Sequence, residues 1–137
     1  MDIKVYPKLH VYAVDIRNEV FVKEQGFVEE FDSDDKRAIH LVGFIKDRSA
    51  ATARILENSD GTFLIGRIAV RKKYRKQGLG AEIIKEAEKI IFEKGGRRIY
   101  IHSQCQAMAF YEKQGYSPIG EMDYEEDCPH QMMIKDI

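Results

Sequence analysis

Residues 71–80, RKKYRKQGLG, carry the densest chemistry in the chain. Five of the first six residues are basic, and Gly78-Leu79-Gly80 follows. Upstream, TFLIGRIAV (62–70) reads as a strand, with Phe63, Ile65, Arg67 and Ala69 expected on one face and Leu64, Ile68 and Val70 on the other. Downstream, residues 79–94 place Leu79, Ile83, Ala87 and Ile90 or Ile91 at helical spacing. A turn in that position faces the N–H groups and positive dipole end of a helix start. Gly78 and Gly80 lack Cβ atoms, so an anion can approach the backbone closely. Arg75 and Lys76 add positive charge. The pattern predicts a phosphate or pyrophosphate site, weighed against a plain structural turn.

Two nucleotide loops fail on pattern. A dinucleotide-binding loop needs a third glycine where Ile83 stands, and no Gly-x-x-x-x-Gly-Lys-Ser/Thr loop occurs. Nucleic-acid binding has Tyr74 among the cations in its favour. Against it stand a short basic run, a net charge of −1 and two glycines it leaves unexplained. No nucleic-acid partner is expected. His102-x-x-Cys105 with Cys128-x-His130 raises a zinc reading, but a one-residue gap is unusual for a chelating pair.

The elements around these residues read as one domain spanning 1–137. Hydrophobic residues are 44% and charged residues 33%, an ordinary globular balance. EEFDSDD (29–35) and EMDYEED (121–127) each hold five acids in seven residues. Two cysteines make no disulfide framework, and no apolar run approaches the roughly 18 residues of a membrane span, so a cytoplasmic chain without membrane contact is expected. A strand at 2–6 precedes a helix at 8–24 with a Leu9, Ala13, Ile16 and Val20 stripe. Strands at 40–46, 50–57 and 62–70 follow as an antiparallel meander. The helix at 79–94 then leads to a strand at 97–103, parallel to 62–70. A short helix at 106–114 and a final hairpin around EEDCP complete a mixed α/β (α+β) sheet.

Arg75-x-x-Gly78-x-Gly80, between a strand and an amphipathic helix, resembles the acetyl-CoA pyrophosphate loop of the GNAT acetyltransferases. AMAFYEKQGY (107–116) resembles the helix that follows about 30 residues later in that family, and RNEVFVKEQ (17–25) resembles its first helix. The tail YEEDCPHQMM (124–133) resembles the small bacterial ElaA/YjcF-like branch.

The resemblance implies the GNAT fold: a twisted mixed sheet, flanked by helices, whose central strands 62–70 and 97–103 splay to admit acetyl-CoA. Residues Arg75, Lys76, Gln77, Gly78, Leu79 and Gly80 would take the pyrophosphate. The backbone of Ile68, Ala69 and Val70 would pair with the pantetheine arm, and the Val70 N–H would face the oxyanion. Gln104 stands where the family often has Asn contacting the arm. Direct transfer to an amine in a ternary complex would follow, with Tyr111 as general acid and no metal. His130 and Glu24 are candidates for the base or for substrate contacts, with Glu125, Asp127 and His102 as further choices. The acidic stretches would attract a cationic amine. The His102–Cys105 pair would lie where the acyl chain passes, a second argument against zinc. A homodimer is a habit of the family. The alternative is a non-catalytic acyl-CoA-binding regulatory module on the same fold.

Overall fold

The computed structural model describes residues 1–28 and 30–137. Glu29, part of the first acidic stretch, lies outside the described residues. Among the described residues eight strands form one sheet: β1 (Asp2–Tyr6), β2 (Ile39–Ile45), β3 (Arg48–Glu57), β4 (Phe63–Val70), β5 (Arg98–Gln104), β6 (Ser117–Pro118), β7 (Asp123–Glu125) and β8 (Cys128–Asp136). Their order is β1-β2-β3-β4-β5-β8-β6, with β7 also paired to β8. The first four pair antiparallel in order, and β2, β3 and β4 form the meander that their tight turns predict. Lys46 and Asp47, at φ 48° and 67°, make the β2–β3 turn. Two consecutive positive-φ residues give the turn whose twist matches a right-twisted hairpin. Glu126 and Asp127 repeat that device between β7 and β8, at φ 46° and 66°.

Helices cover both faces. On one face lies α1 (Val11–Arg17), which continues as a π-helical turn over Asn18–Glu24. It starts three residues later than its apolar spacing suggests. His10 is extended and its Nδ1 accepts the Tyr12 N–H at 3.4 Å, capping the helix. Leu9 therefore joins the stripe from outside the helix. Ala13, Ile16, Val20 and Phe21 pack there against Val42, Phe44 and Ala69. On the other face, α2 (Leu79–Glu93) buries Leu79, Ile83, Ile84, Ala87 and Ile91 against Leu41, Ala53, Ile55, Ile65, Ile99 and Ile101. Gly96 lets the chain turn back tightly to β5. A Cβ there would sit 2.5 Å from Ile91 Cγ2 and 2.6 Å from the Phe63 ring. No helix among the described residues is long and apolar enough to cross a membrane.

The centre of the sheet departs from regular alternation. β4 and β5 are parallel but share only the pairs Phe63↔Ile99 and Leu64↔Tyr100. Beyond them the strands part. On the β3 side, Thr52 pairs Ala69 and Arg54 pairs Gly66, so Ala53 alone faces two β4 residues, Arg67 and Ile68. Arg67 takes φ 50°, and the bulge exchanges the faces of everything after it. Phe63 and Ile65 pack under α2, whereas Ala69 packs under α1 and Ile68 and Val70 return to the α2 side. The expected single face for Phe63, Ile65, Arg67 and Ala69 is thus overturned. A bulge bends its strand and sharpens the twist, which carries the end of β4 away from β5.

The final hairpin is also more divided than expected. Ser117–Pro118 pairs Ile134–Met133, and Asp123–Glu125 pairs His130–Cys128. Between them the chain leaves β8, and the Gln131 Nε2 donates to the carbonyls of Ile119 and Gly120 at 2.9 and 3.1 Å. That side chain supplies the donors the ladder would have supplied.

Candidate active site

The loop after β4 is held open by the helix across the sheet. Residues Lys72–Tyr74 form a 3₁₀ turn, Lys76 lies at φ 66°, and Gly78 at φ 77° directly precedes α2. No side chain caps that helix start. The first N–H groups of an α-helix have no intrahelical partner, so these point outward together with the positive dipole end. A Cβ at Gly78 would meet nothing within 4 Å, so its surroundings are open and its positive φ is the reason for glycine. Gly80 has a different reason. A Cβ there would lie 3.0 Å from Phe110 Cζ, so glycine lets the Phe110 ring close on the helix start.

Two arginines of the basic run serve this loop as anchors. Arg75 donates to both Glu24 oxygens, at 2.8 and 2.7 Å, and its Nε donates to the Val70 carbonyl at 2.9 Å. The hydrogen bond from Arg75 is the main cause that lowers the Glu24 pKa, outweighing burial. Arg71 donates to the Ser49 carbonyl and hydroxyl and to Glu19. Both acids come from the π-helical turn, so that turn fastens the loop and the end of β4 together. Lys72, Lys73 and Lys76 carry no ion pair among the described residues.

The parted strands and this loop enclose one cleft of about 460 Å³. Of the residues expected at a cofactor, Ile68, Ala69, Val70, Arg75, Lys76, Gly78, Leu79, Gly80 and Tyr111 all line it. Gln77 is not among its lining residues. Val20, Gln25, Tyr74, Ala107 and Phe110 complete its wall; four of them lie in the stretches 17–25 and 107–116 that carry the resemblance, and Tyr74 lies in the basic run. Tyr111 comes from α3 (Met108–Lys113), and burial pushes its phenol up to about 12. Its ring stands edge-on to Tyr116, whose hydroxyl donates to Glu88 on α2 at 2.7 Å. Lys135 of β8 donates to the same carboxylate at 3.0 Å, which ties α2, β8 and the segment behind α3 at one point.

A second cleft of about 260 Å³ adjoins the first at their shared residue Gln25. Gln104 lines this one, with Gly26, Phe27, Gln106, Glu126 and Cys128. The Gln104 Nε2 donates to the Gln25 side chain at 2.8 Å, bridging β5 to the end of the π-helical turn across the splay. His130 lies beside this region, with its ring edge-on to Phe27 at 6.4 Å. Glu24 and His130 are thus placed apart: one anchors the loop of the first cleft, and the other borders the second.

Among the described residues, the acids of 30–35 do not line either cleft. Arg17 is buried and pairs with Glu30 at 2.7 Å and Asp35 at 2.8 Å. Arg54 pairs with Asp32 and Asp35, Arg67 with Glu30 and Asp32, and Arg37 with Asp34. The stretch works as a buried ionic clamp that holds its loop against α1 and the β4 bulge. Helical and strand periodicities carry no signal of it, because apart from Arg37–Asp34 its partners lie 13 to 37 residues apart.

Residues 11–137 match the acetyltransferase (GNAT) domain. The chain is 34% identical to the uncharacterized N-acetyltransferase YjcF of Bacillus subtilis (strain 168) over 124 residues, covering 88% of each. The crystal structure of Escherichia coli ElaA superposes with a TM-score of 0.86 at 27% identity, covering 98% of both chains. A GNAT family acetyltransferase of Elizabethkingia anophelis, solved with acetyl-CoA bound, shares the fold at a TM-score of 0.76 and 15% identity, again covering 98% of both. The splayed sheet, the glycine-bearing helix start and the match over nearly the whole chain agree, and this protein belongs to the GNAT acetyltransferase family.

Proposed function

We propose that residues 1–137 act as one N-acetyltransferase domain that moves the acetyl group of acetyl-CoA to an amine by direct transfer in a ternary complex. The observation that carries this reading is the junction of two features in one cleft. A strand pair opens after Leu64 and Tyr100, and an uncapped helix start at Gly78 opens into the same space. A pyrophosphate fits the outward N–H groups of that start, with Lys76 beside it. The parted edge of β4 at Ile68–Val70 can pair with an extended amide-bearing arm as a further strand would. Bound GNAT structural neighbours support the choice of acetyl-CoA.

In this reading each side chain has a defined task. Arg75 positions rather than binds: with Glu24 it holds the Val70 carbonyl and so fixes the backbone of Val70, whose own N–H, one peptide unit earlier, is the donor for the developing oxyanion. Glu24 is a clamp, since a carboxylate engaged on both oxygens and lowered in pKa is a poor proton acceptor at neutral pH. Tyr111 keeps its proton at neutral pH because its phenol is raised to about 12. It can give that proton to the thiolate that leaves when the amine attacks the thioester carbonyl. The acceptor amine enters from the second cleft, past Gln25 and Gln104. The acids of 121–127 flank that side and favour a cationic amine before its deprotonation.

The test is CoA release from acetyl-CoA across a panel of amines, with the Tyr111→Phe variant beside the parent. On a turned-over amine, Tyr111→Phe lowers kcat about 10²-fold with the acetyl-CoA KM nearly unchanged. An unaltered kcat refutes the acid role. Tight CoA binding with no turnover on any amine refutes the enzyme reading and leaves a binding module.

A further inference from the structure

We propose that His102, Glu125 and His130 form a binding site for one divalent transition-metal ion of the zinc class, beside the second cleft. Strand register brings them together. Gln104 pairs His130 and His102 pairs Met132 across β5 and β8, so His102 and His130 share a face, two residues apart along the ladder. β7 sets Asp123 opposite His130 and Glu125 opposite Cys128. One ligand atom from each of His102, Glu125 and His130 lies within 4.8 Å of the others. The His102 Nδ1 is 3.2 Å from Glu125 Oε1, and the His130 Nε2 is 3.6 Å from Glu125 Oε2. Ligands about 2.0–2.1 Å from a tetrahedral zinc lie roughly 3.3–3.4 Å from one another. The two nitrogen–oxygen separations, each to a different oxygen of Glu125, bracket that edge, and closing the set from its 4.8 Å spread takes only side-chain rotation.

The outer partners determine which nitrogens face inward as acceptors. The His130 Nδ1 is 2.9 Å from the Cys128 carbonyl, which can only accept, so that nitrogen carries the proton. The His102 Nε2 is 2.7 Å from Asp123 Oδ1 and donates to that carboxylate. In neutral rings the two remaining lone pairs then converge on a third acceptor, the Glu125 carboxylate. Three acceptors facing one another repel unless a cation lies among them. One divalent ion satisfies all three donors. The carboxylate and carbonyl on the outer nitrogens are the partners that orient metal-bound imidazoles.

The ion has a mechanical consequence. β7 is three exposed residues whose only strand pairing among the described residues is with β8. A metal held jointly by Glu125 of β7, His130 of β8 and His102 of β5 fastens that hairpin to the central sheet, next to the wall formed by Phe27. Three protein ligands leave a tetrahedral ion one position for water or for a donor atom of the acceptor. The cysteines weighed with these histidines on spacing grounds are not needed.

The experiment is titration of the chelator-stripped chain with Zn²⁺ alone, by calorimetry, with the visible spectrum of the Co²⁺ form as a second readout. One ion per chain is expected. Glu125 and Asp123 are largely solvent-facing, with side chains 49% and 61% exposed, so Glu125→Gln and Asp123→Asn keep the fold, as circular dichroism checks. Asp123→Asn weakens Zn²⁺ binding by roughly 10–100-fold, and Glu125→Gln by at least as much. The Cys105→Ser, Cys128→Ser double variant binds as the parent does. No stoichiometric uptake, equal affinity in Glu125→Gln, or loss of the ion in the cysteine double variant overturns the site. None of these readouts uses acetyl-CoA, so the result stands apart from the transferase reading.

Discussion

Gly78→Glu leaves the protein folded and removes measurable acetyl-CoA binding. The fold survives because a Cβ at this position meets nothing within 4 Å. The cost is that of a non-glycine residue at φ 77°, roughly 1–2 kcal/mol. Binding is lost because a carboxylate then occupies the space into which the α2 N–H groups and the helix dipole point. A pyrophosphate would meet a like charge and forfeit hydrogen bonds worth about 1.5–3 kcal/mol each. Loss of two such bonds corresponds to at least a hundredfold in affinity. Calorimetric titration with CoA, alongside a thermal melt, reads both halves of the result. Affinity within about threefold of the parent would remove the pyrophosphate assignment from this helix start.

Arg17→Met destabilises the protein by about 3–5 kcal/mol, because it strands buried carboxylates rather than merely deleting contacts. Arg17 is 1% exposed, and Glu30 and Asp35, its partners, are 4% and 5% exposed. Burial acts to raise both carboxyls. For Glu30 it prevails over the arginines, and the pKa stands above the ordinary value. For Asp35 the bonds from Arg17, the Asp32 N–H and Arg54 outweigh burial and hold it at about 2. A carboxyl depressed on folding stabilises the native state at pH above its unfolded value of 3.8. That contribution disappears as pH falls toward 2. Urea unfolding at neutral pH measures the loss, and the same measurement between pH 4 and 2 shows a shallower acid dependence in the variant. A loss under about 1 kcal/mol would mean that Arg54 and Arg67 compensate the clamp unaided.

Much of the architecture is legible along the chain. The spacing of Ile83, Ala87 and Ile91 places α2, because burying one helix face demands that period, and the short apolar runs of residues 40–57, separated by a turn, place β2 and β3, which are buried on both faces. The glycines at 78 and 80 mark the loop, although only Gly78 is required by its φ; Gly80 answers to Phe110. The β4 bulge is not legible. Phe63 to Val70 read as one unbroken strand, and the extra residue is visible only against β3. Glu24 shows the same limit. At the end of an amphipathic helix it reads equally as base, substrate contact or solvated acid, until Arg75, 51 residues away, takes both of its oxygens.

The sequence by itself determined the order of the elements, the family and the position of the glycine-bearing loop before α2. Each rests on residues within one turn or one strand of each other, where backbone sterics and burial act locally. Only the tertiary structure decided which charges are spent in the Arg17 clamp, where β4 leaves β5, and that His102 meets His130 and Glu125 rather than the cysteines. Those contacts join strands whose register, not whose local pattern, sets what lies opposite what. A shift of one residue in β8 would turn His130 to the other face of the sheet and dissolve the cluster.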